Sequence, residues 1–205
     1  MHLDFETAVL NVLLLWILTS PHEFAHAWMA TKLGDDTPRL QGRLTLNPLA
    51  HVDWMGTAIL PFLTSLLTGG FLGWGRPVLT NNSKLKGGRN GLALVALAGP
   101  ASNVVMAVLL ALIARLTIHL APALAEFAAS GVELSLYLAI FNLLPVPPLD
   151  GSKLLLAARV PIVVYQEIAR FGMMAMIILV SFYGVGRWMA EWSSAGAQAI
   201  FRALG

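Results

Sequence analysis

The stretch Ser20-Pro21-His22-Glu23-Phe24-Ala25-His26-Ala27 places an H-E-x-x-H motif in the second half of an apolar segment running from about Ala8 to Ala30. A segment of that length can cross the hydrocarbon layer as a single helix. Positions four apart on a helix lie one above the other. His22 and His26 can therefore offer two imidazole nitrogens to one Zn²⁺, with Glu23 beside it as general base toward water. Ionisable side chains are costly at membrane depth and mark functional sites there, which separates this motif from a chance match on a polar surface helix. Pro21 has no N–H to donate, so the carbonyl of Ile17 loses its helical partner. A kink there would open the helix beside the motif.

Composition agrees with a membrane setting. Of the 205 residues 57% are hydrophobic and 12% charged, and the mean hydropathy of +0.72 lies far above a soluble profile. The chain reads as one domain of a polytopic, all-α membrane protein. The net charge of +2 is spread over connections and forms no nucleic-acid patch. With no cysteine, a metal must be held by histidine and carboxylate. Met1-His2-Leu3-Asp4-Phe5-Glu6 is acidic where a cleaved signal peptide is basic, so the first apolar run is expected to stay in the protein.

Apolar segments fall at about 7–31, 55–73, 91–118, 132–157 and 170–190. The connection 31–54 carries Lys32, Arg39 and Arg43; 74–90 carries Arg76, Lys84, Lys86 and Arg89; 119–131 carries no Lys or Arg. The positive-inside rule puts the first two, and the region around Lys153, Arg159 and Arg170, on the cytoplasmic side. Segment 55–73 then has two cytoplasmic flanks. With Pro61 and Gly69-Gly70 interrupting it, and Trp54 and Trp74 bracketing it, it is expected to be re-entrant rather than spanning. That parity brings the H-E-x-x-H motif and the end of segment 132–157 to one depth. Residues 43–46 and 76–79 alternate polar and apolar and are expected to pair as a small membrane-surface β element. The tail 191–205 is expected to form an interfacial helix.

A catalytic zinc takes three protein ligands and keeps one position open. Asp35 and Asp36 follow Gly34, a helix C-cap candidate, and read as a solvated turn. Asp53, near His51, could reach a metal. Asp150 is the stronger candidate, because Asn142-Leu143-Leu144-Pro145-Val146-Pro147-Pro148-Leu149-Asp150-Gly151 breaks an apolar helix. Broken backbone at membrane depth belongs where it lines a cavity.

With these residues in hand, the chain resembles the site-2 proteases, the M50 family of intramembrane zinc metalloproteases. The resemblance rests on H-E-F-A-H at 22–26, Gly99-Pro100-Ala101-Ser102-Asn103 for the family's G-P-x-x-N, and the 142–151 stretch for N-L-x-P-x-P-x-L-D-G, in family order over residues 7–157. Gly42 to His51 is similar to the short bacterial and archaeal branch. The resemblance implies one zinc held by His22, His26 and Asp150, Glu23 as catalytic base, and Asn103 and Asn142 as groups that bind the substrate backbone or stabilise the oxyanion. It implies a multi-pass protein of a bacterial or archaeal cell membrane, with its site toward the cytoplasm and a single-span membrane protein as substrate. No PDZ-like insert or CBS domain fits, so regulation by such modules must come from a membrane partner or be absent. The organisation expected is a protease domain over 1–205, with core 7–157, a fifth transmembrane helix at 170–190 and the tail 191–205. The rival functions are a membrane metal carrier, which has no need of Glu23, and a relative that binds helices without cutting them.

Overall fold

The computed structural model describes residues 4–68, 73–182 and 184–205. Helix α1 (Phe5–Lys32) opens on an Asp4 cap whose carboxylate accepts from the Thr7 N–H, and continues through Pro21. It ends at Gly34, whose φ of +99° suits a residue without a side chain. After the short α2 (Thr37–Leu40), a wide turn of π-helix (Trp54–Ile59) runs into α3 (Leu60–Thr68). An extended stretch then leads to α4 (Arg89–Thr117) and α5 (Pro122–Asn142), followed by α6 (Asp150–Ala157), α7 (Ile162–Phe182) and α8 (Val185–Ala203). Among the described residues, α1, α4 and α5 are long and apolar enough to span a membrane, and the chain is a multi-pass α-helical membrane protein.

The core sits between α1, α4, α5 and α8. Leu18, Ala107, Leu110, Ala111, Ala114, Ala128, Val132, Leu136 and Ala197 form one buried cluster. Small residues let these helices approach closely, as packing within lipid requires. A side chain at Gly131 would lie 2.9 Å from Leu110 and 3.0 Å from Leu14.

Segment 55–73 begins and ends at one level. The Trp74 N–H donates to the Gly56 carbonyl at 2.9 Å, and the Arg76 N–H to the His51 carbonyl at 3.0 Å. A Cβ on Gly56 would lie 2.3 Å from the Trp74 ring, so glycine is what permits this closure. The two ends of the stretch are thus joined, which is compatible with the expected re-entrant segment; Gly69 to Leu72, the expected turn, lie outside the described residues. The loops that flank it are also joined. Asp35, expected in a solvated turn, is instead buried. Its carboxylate accepts from the Thr37 N–H at 3.0 Å and the Asn81 N–H at 2.6 Å, and the Lys86 N–H donates to the Leu33 carbonyl at 2.7 Å. The end of α1 and the approach to α4 therefore share a side.

Three expectations change. No strand forms among the described residues. Residues 43–46 do not pair with 76–79, because the Arg76 N–H is taken by His51 and the Thr45 carbonyl by the His51 imidazole at 2.8 Å. The connection after α4 is short: Pro122, suited to a first helical turn, starts α5 within the stretch read as loop 119–131. The fifth segment ends at Phe182, and the tail belongs to a longer helix, α8, entered through Gly184 at φ +69°. Met189, Ser193 and Ala197, spaced four apart, are its buried stripe.

Burial by itself would push the Asp35 carboxyl up, but its bonds from Thr37 and Asn81 outweigh this and hold it below the ordinary value of 3.8. Asp35→Ala strands two N–H groups and should cost about 1–3 kcal/mol, read as a lower unfolding midpoint in detergent. A depressed carboxylate contributes above its unfolded pKa, so the gap from wild type should close as pH falls below 3.8.

Candidate metal centre

His22 and His26 stand one turn apart on α1, both buried, with their Nε2 atoms 3.1 Å from each other. The backbone breaks after Asn142 and resumes as a helix at Asp150. A Cβ on Gly151 would lie 2.1 Å from the Leu143 carbonyl oxygen, so glycine lets α6 start tight against the end of α5. This seats Asp150 Oδ2 3.1 Å from His22 Nε2 and 2.9 Å from His26 Nε2. From the opposite face, Gly99 of α4 lies against the histidines, where a Cβ would come within 2.3 Å of His26 Nε2 and 2.7 Å of His22 Nε2.

These atoms fit a metal. His26 Nδ1 lies 2.7 Å from the Val95 carbonyl, which can only accept, so Nδ1 carries a proton and Nε2 of the neutral ring is a lone pair facing the Asp150 oxygen. Facing acceptors need a cation between them. One proton can bridge two atoms, whereas three atoms mutually within 3.1 Å could together hold a single small ion. Tetrahedral zinc with bonds of about 2.0–2.1 Å holds its ligands roughly 3.4 Å apart, close to the spacing found. His22, His26 and Asp150 are also the one such cluster among the described residues.

A cavity of about 420 Å³ opens beside the cluster, lined by Glu23, Asn103, Asn142, Lys153 and the residues Gly73, Trp74 and Gly75. Glu23 is buried, and its Oε2 accepts from the Val78 N–H at 3.0 Å. Asn103 is buried, with no partner for its Oδ1 among the described residues. Asn142 donates from Nδ2 to the Leu138 carbonyl at 2.9 Å. All six residues singled out from sequence thus border one space. His51 and Asp53 lie elsewhere: His51 is buried against Thr45, and Asp53 accepts from the Gly56 N–H at 2.9 Å. Burial lowers the His51 pKa, against the bond to Thr45.

Three features were not read from the sequence. Gly99 was passed over as the weak end of G-P-x-x-N, although a glycine there signals close approach. The Val78 N–H leaves no trace in sequence, being backbone. Lys153, whose Nζ lies 2.8 Å from Asp150 Oδ1, could have been found from its three-residue spacing on a helix.

Buried histidines with an adjacent glutamate on one membrane helix, completed by a distant aspartate, define the class of membrane-embedded metallopeptidase-type sites. The model of peptidase family M50 matches residues 117–182, which include Asn142 and Asp150. The chain is 41% identical over 152 residues to "Putative zinc metalloprotease YwhC" of Bacillus subtilis (strain 168), covering 70% of this chain and 66% of that protein. It is 36% identical over 157 residues to "Putative zinc metalloprotease Rip2" of Mycolicibacterium smegmatis (strain ATCC 700084 / mc(2)155), covering 73% of this chain and 57% of that one. The chain thus spans 66% and 57% of these two relatives' lengths. No solved structure matches. These matches support membership of peptidase family M50, the site-2 protease family.

Gly99→Ala drives a methyl group into both imidazoles. It should lower zinc affinity about tenfold or more while α4 stays helical, checked by chelator competition and circular dichroism.

Proposed function

We propose that this protein is an intramembrane zinc metalloprotease that cuts single-span membrane proteins toward the cytoplasmic side of a cell membrane. The observation that carries the reading is the meeting of His22, His26 and Asp150 in a cavity that also holds Glu23. A metal carrier needs the first three and not the fourth. One zinc held by these three residues would supply Lewis acidity toward water and the scissile carbonyl.

The remaining chemistry belongs to the chain. Glu23 is oriented through Oε2 by the Val78 N–H, which leaves Oε1 to take the proton of the attacking water. The same carboxyl then gives that proton to the departing amide nitrogen as the peptide C–N bond breaks. Asn142 has a second amide hydrogen to offer a developing oxyanion. The unpartnered Oδ1 of Asn103 can accept from a substrate N–H.

A transmembrane helix shields its own amides, so the substrate must be extended locally before it is cut. The stretch 73–78 offers a template. Trp74, Arg76 and Val78 turn their N–H groups into the protein, toward Gly56, His51 and Glu23. Alternate residues of an extended chain face opposite ways, so at Gly75 and Pro77, which line the cavity, the Gly75 N–H and the two carbonyls would face an added strand, Pro77 having no N–H. The linked loops that carry Arg39, Arg43, Arg76, Lys84, Lys86 and Arg89 favour the cytoplasm as the side from which water enters.

The test is Glu23→Gln in detergent-purified protein incubated with single-span substrates. Cleavage should fall about 10²–10⁴-fold with zinc retained, and a chelator should stop the wild type. Cleavage by Glu23→Gln at the wild-type rate, or chelator-resistant cleavage, would refute the mechanism.

A further inference from the structure

We infer that Lys153 is a positioning residue that keeps Asp150 a one-oxygen ligand and so preserves an open coordination position. The inference rests on the zinc reading of the site. The Asp150 carboxylate is divided: Oδ2 faces both imidazoles at 3.1 and 2.9 Å, while Oδ1 lies 2.8 Å from Lys153 Nζ. Both residues belong to α6, three positions apart, so the helix itself holds the clamp in register. Asp150 is the first residue of that helix and follows a loop of three prolines. Local helical structure fixes its backbone on one side only.

A carboxylate can bind a metal through one oxygen or two. Binding through both would fill the position that a catalytic zinc keeps for water or substrate. A charged hydrogen bond to Oδ1 is among the stronger polar contacts, and it makes rotation of the carboxylate costly. Lys153 also lines the cavity, with 31% of its side chain exposed. The lysine is thus not an element of the packed core. Groups that hold a metal ligand from behind typically set affinity by 10–100-fold.

The experiment measures Zn²⁺ affinity by chelator competition, and the visible spectrum of the Co²⁺-loaded protein, in detergent-purified wild type, His26→Ala, Lys153→Met, Lys153→Gln and Lys153→Arg. His26→Ala should lose zinc, which checks the site itself. In the wild type, added azide should shift the Co²⁺ bands by entering the open position; Lys153→Met and Lys153→Gln should show altered bands and lose that shift, as the freed carboxylate turns both oxygens inward and fills the position. Lys153→Arg should keep the wild-type bands and the azide shift. Two neutral variants are used so that misfolding of either one leaves the other as the test. If both neutral variants keep the wild-type Co²⁺ bands and azide shift, the positioning role is overturned while the zinc site stands. If His26→Ala binds zinc like wild type, the site reading fails and this proposal falls with it.

Discussion

Two imidazole nitrogens and a carboxylate oxygen from residues up to 128 positions apart converge within 3.1 Å, and the architecture can be followed outward from that convergence. Acceptors crowded together in a low-dielectric region repel one another unless a cation joins them. Everything close to the cluster serves to make the crowding geometrically feasible. Gly99 lets α4 approach the histidines, and Gly151 lets α6 begin against the carbonyls that end α5. The Val95 carbonyl fixes which nitrogen of His26 faces the centre. Lys153 takes the far oxygen of Asp150.

The membrane explains why these devices are mostly backbone and glycine. Lipid cannot solvate a stray polar group, so non-helical chain survives only where protein or a wet cavity meets its hydrogen-bonding needs. The Asn142–Asp150 break and the 73–78 stretch are the two such places near the site. The first delivers the aspartate. The second hands its inward N–H groups to Gly56, His51 and Glu23, which ties the orientation of the glutamate to the segment that would receive an extended peptide.

How legible this was from sequence varied with the physics involved. The histidine pair and its glutamate follow from helical spacing alone. Asp150 was legible because prolines announce a break and because charge asymmetry of the loops predicts a shared depth. The expectation that 55–73 is re-entrant came from the same parity argument, and the bond between Trp74 and Gly56 shows that its two ends meet. The small sheet did not form, because alternation in residues 43–46 and 76–79 says nothing about competing partners, and His51 supplies both of them. Asp35 was misread because a carboxylate beside a glycine cap resembles any exposed turn. What buries it is Asn81, 46 residues further on. The course of α7 into α8 was hidden by apolar continuity, since a hydropathy window runs past Gly184 without registering the turn.

The most direct measurement is anomalous X-ray scattering at the zinc edge from crystals of the purified protein. The account predicts a single peak within about 2.0–2.2 Å of His22 Nε2, His26 Nε2 and one oxygen of Asp150. A peak elsewhere, or none from zinc-loaded protein, would contradict it.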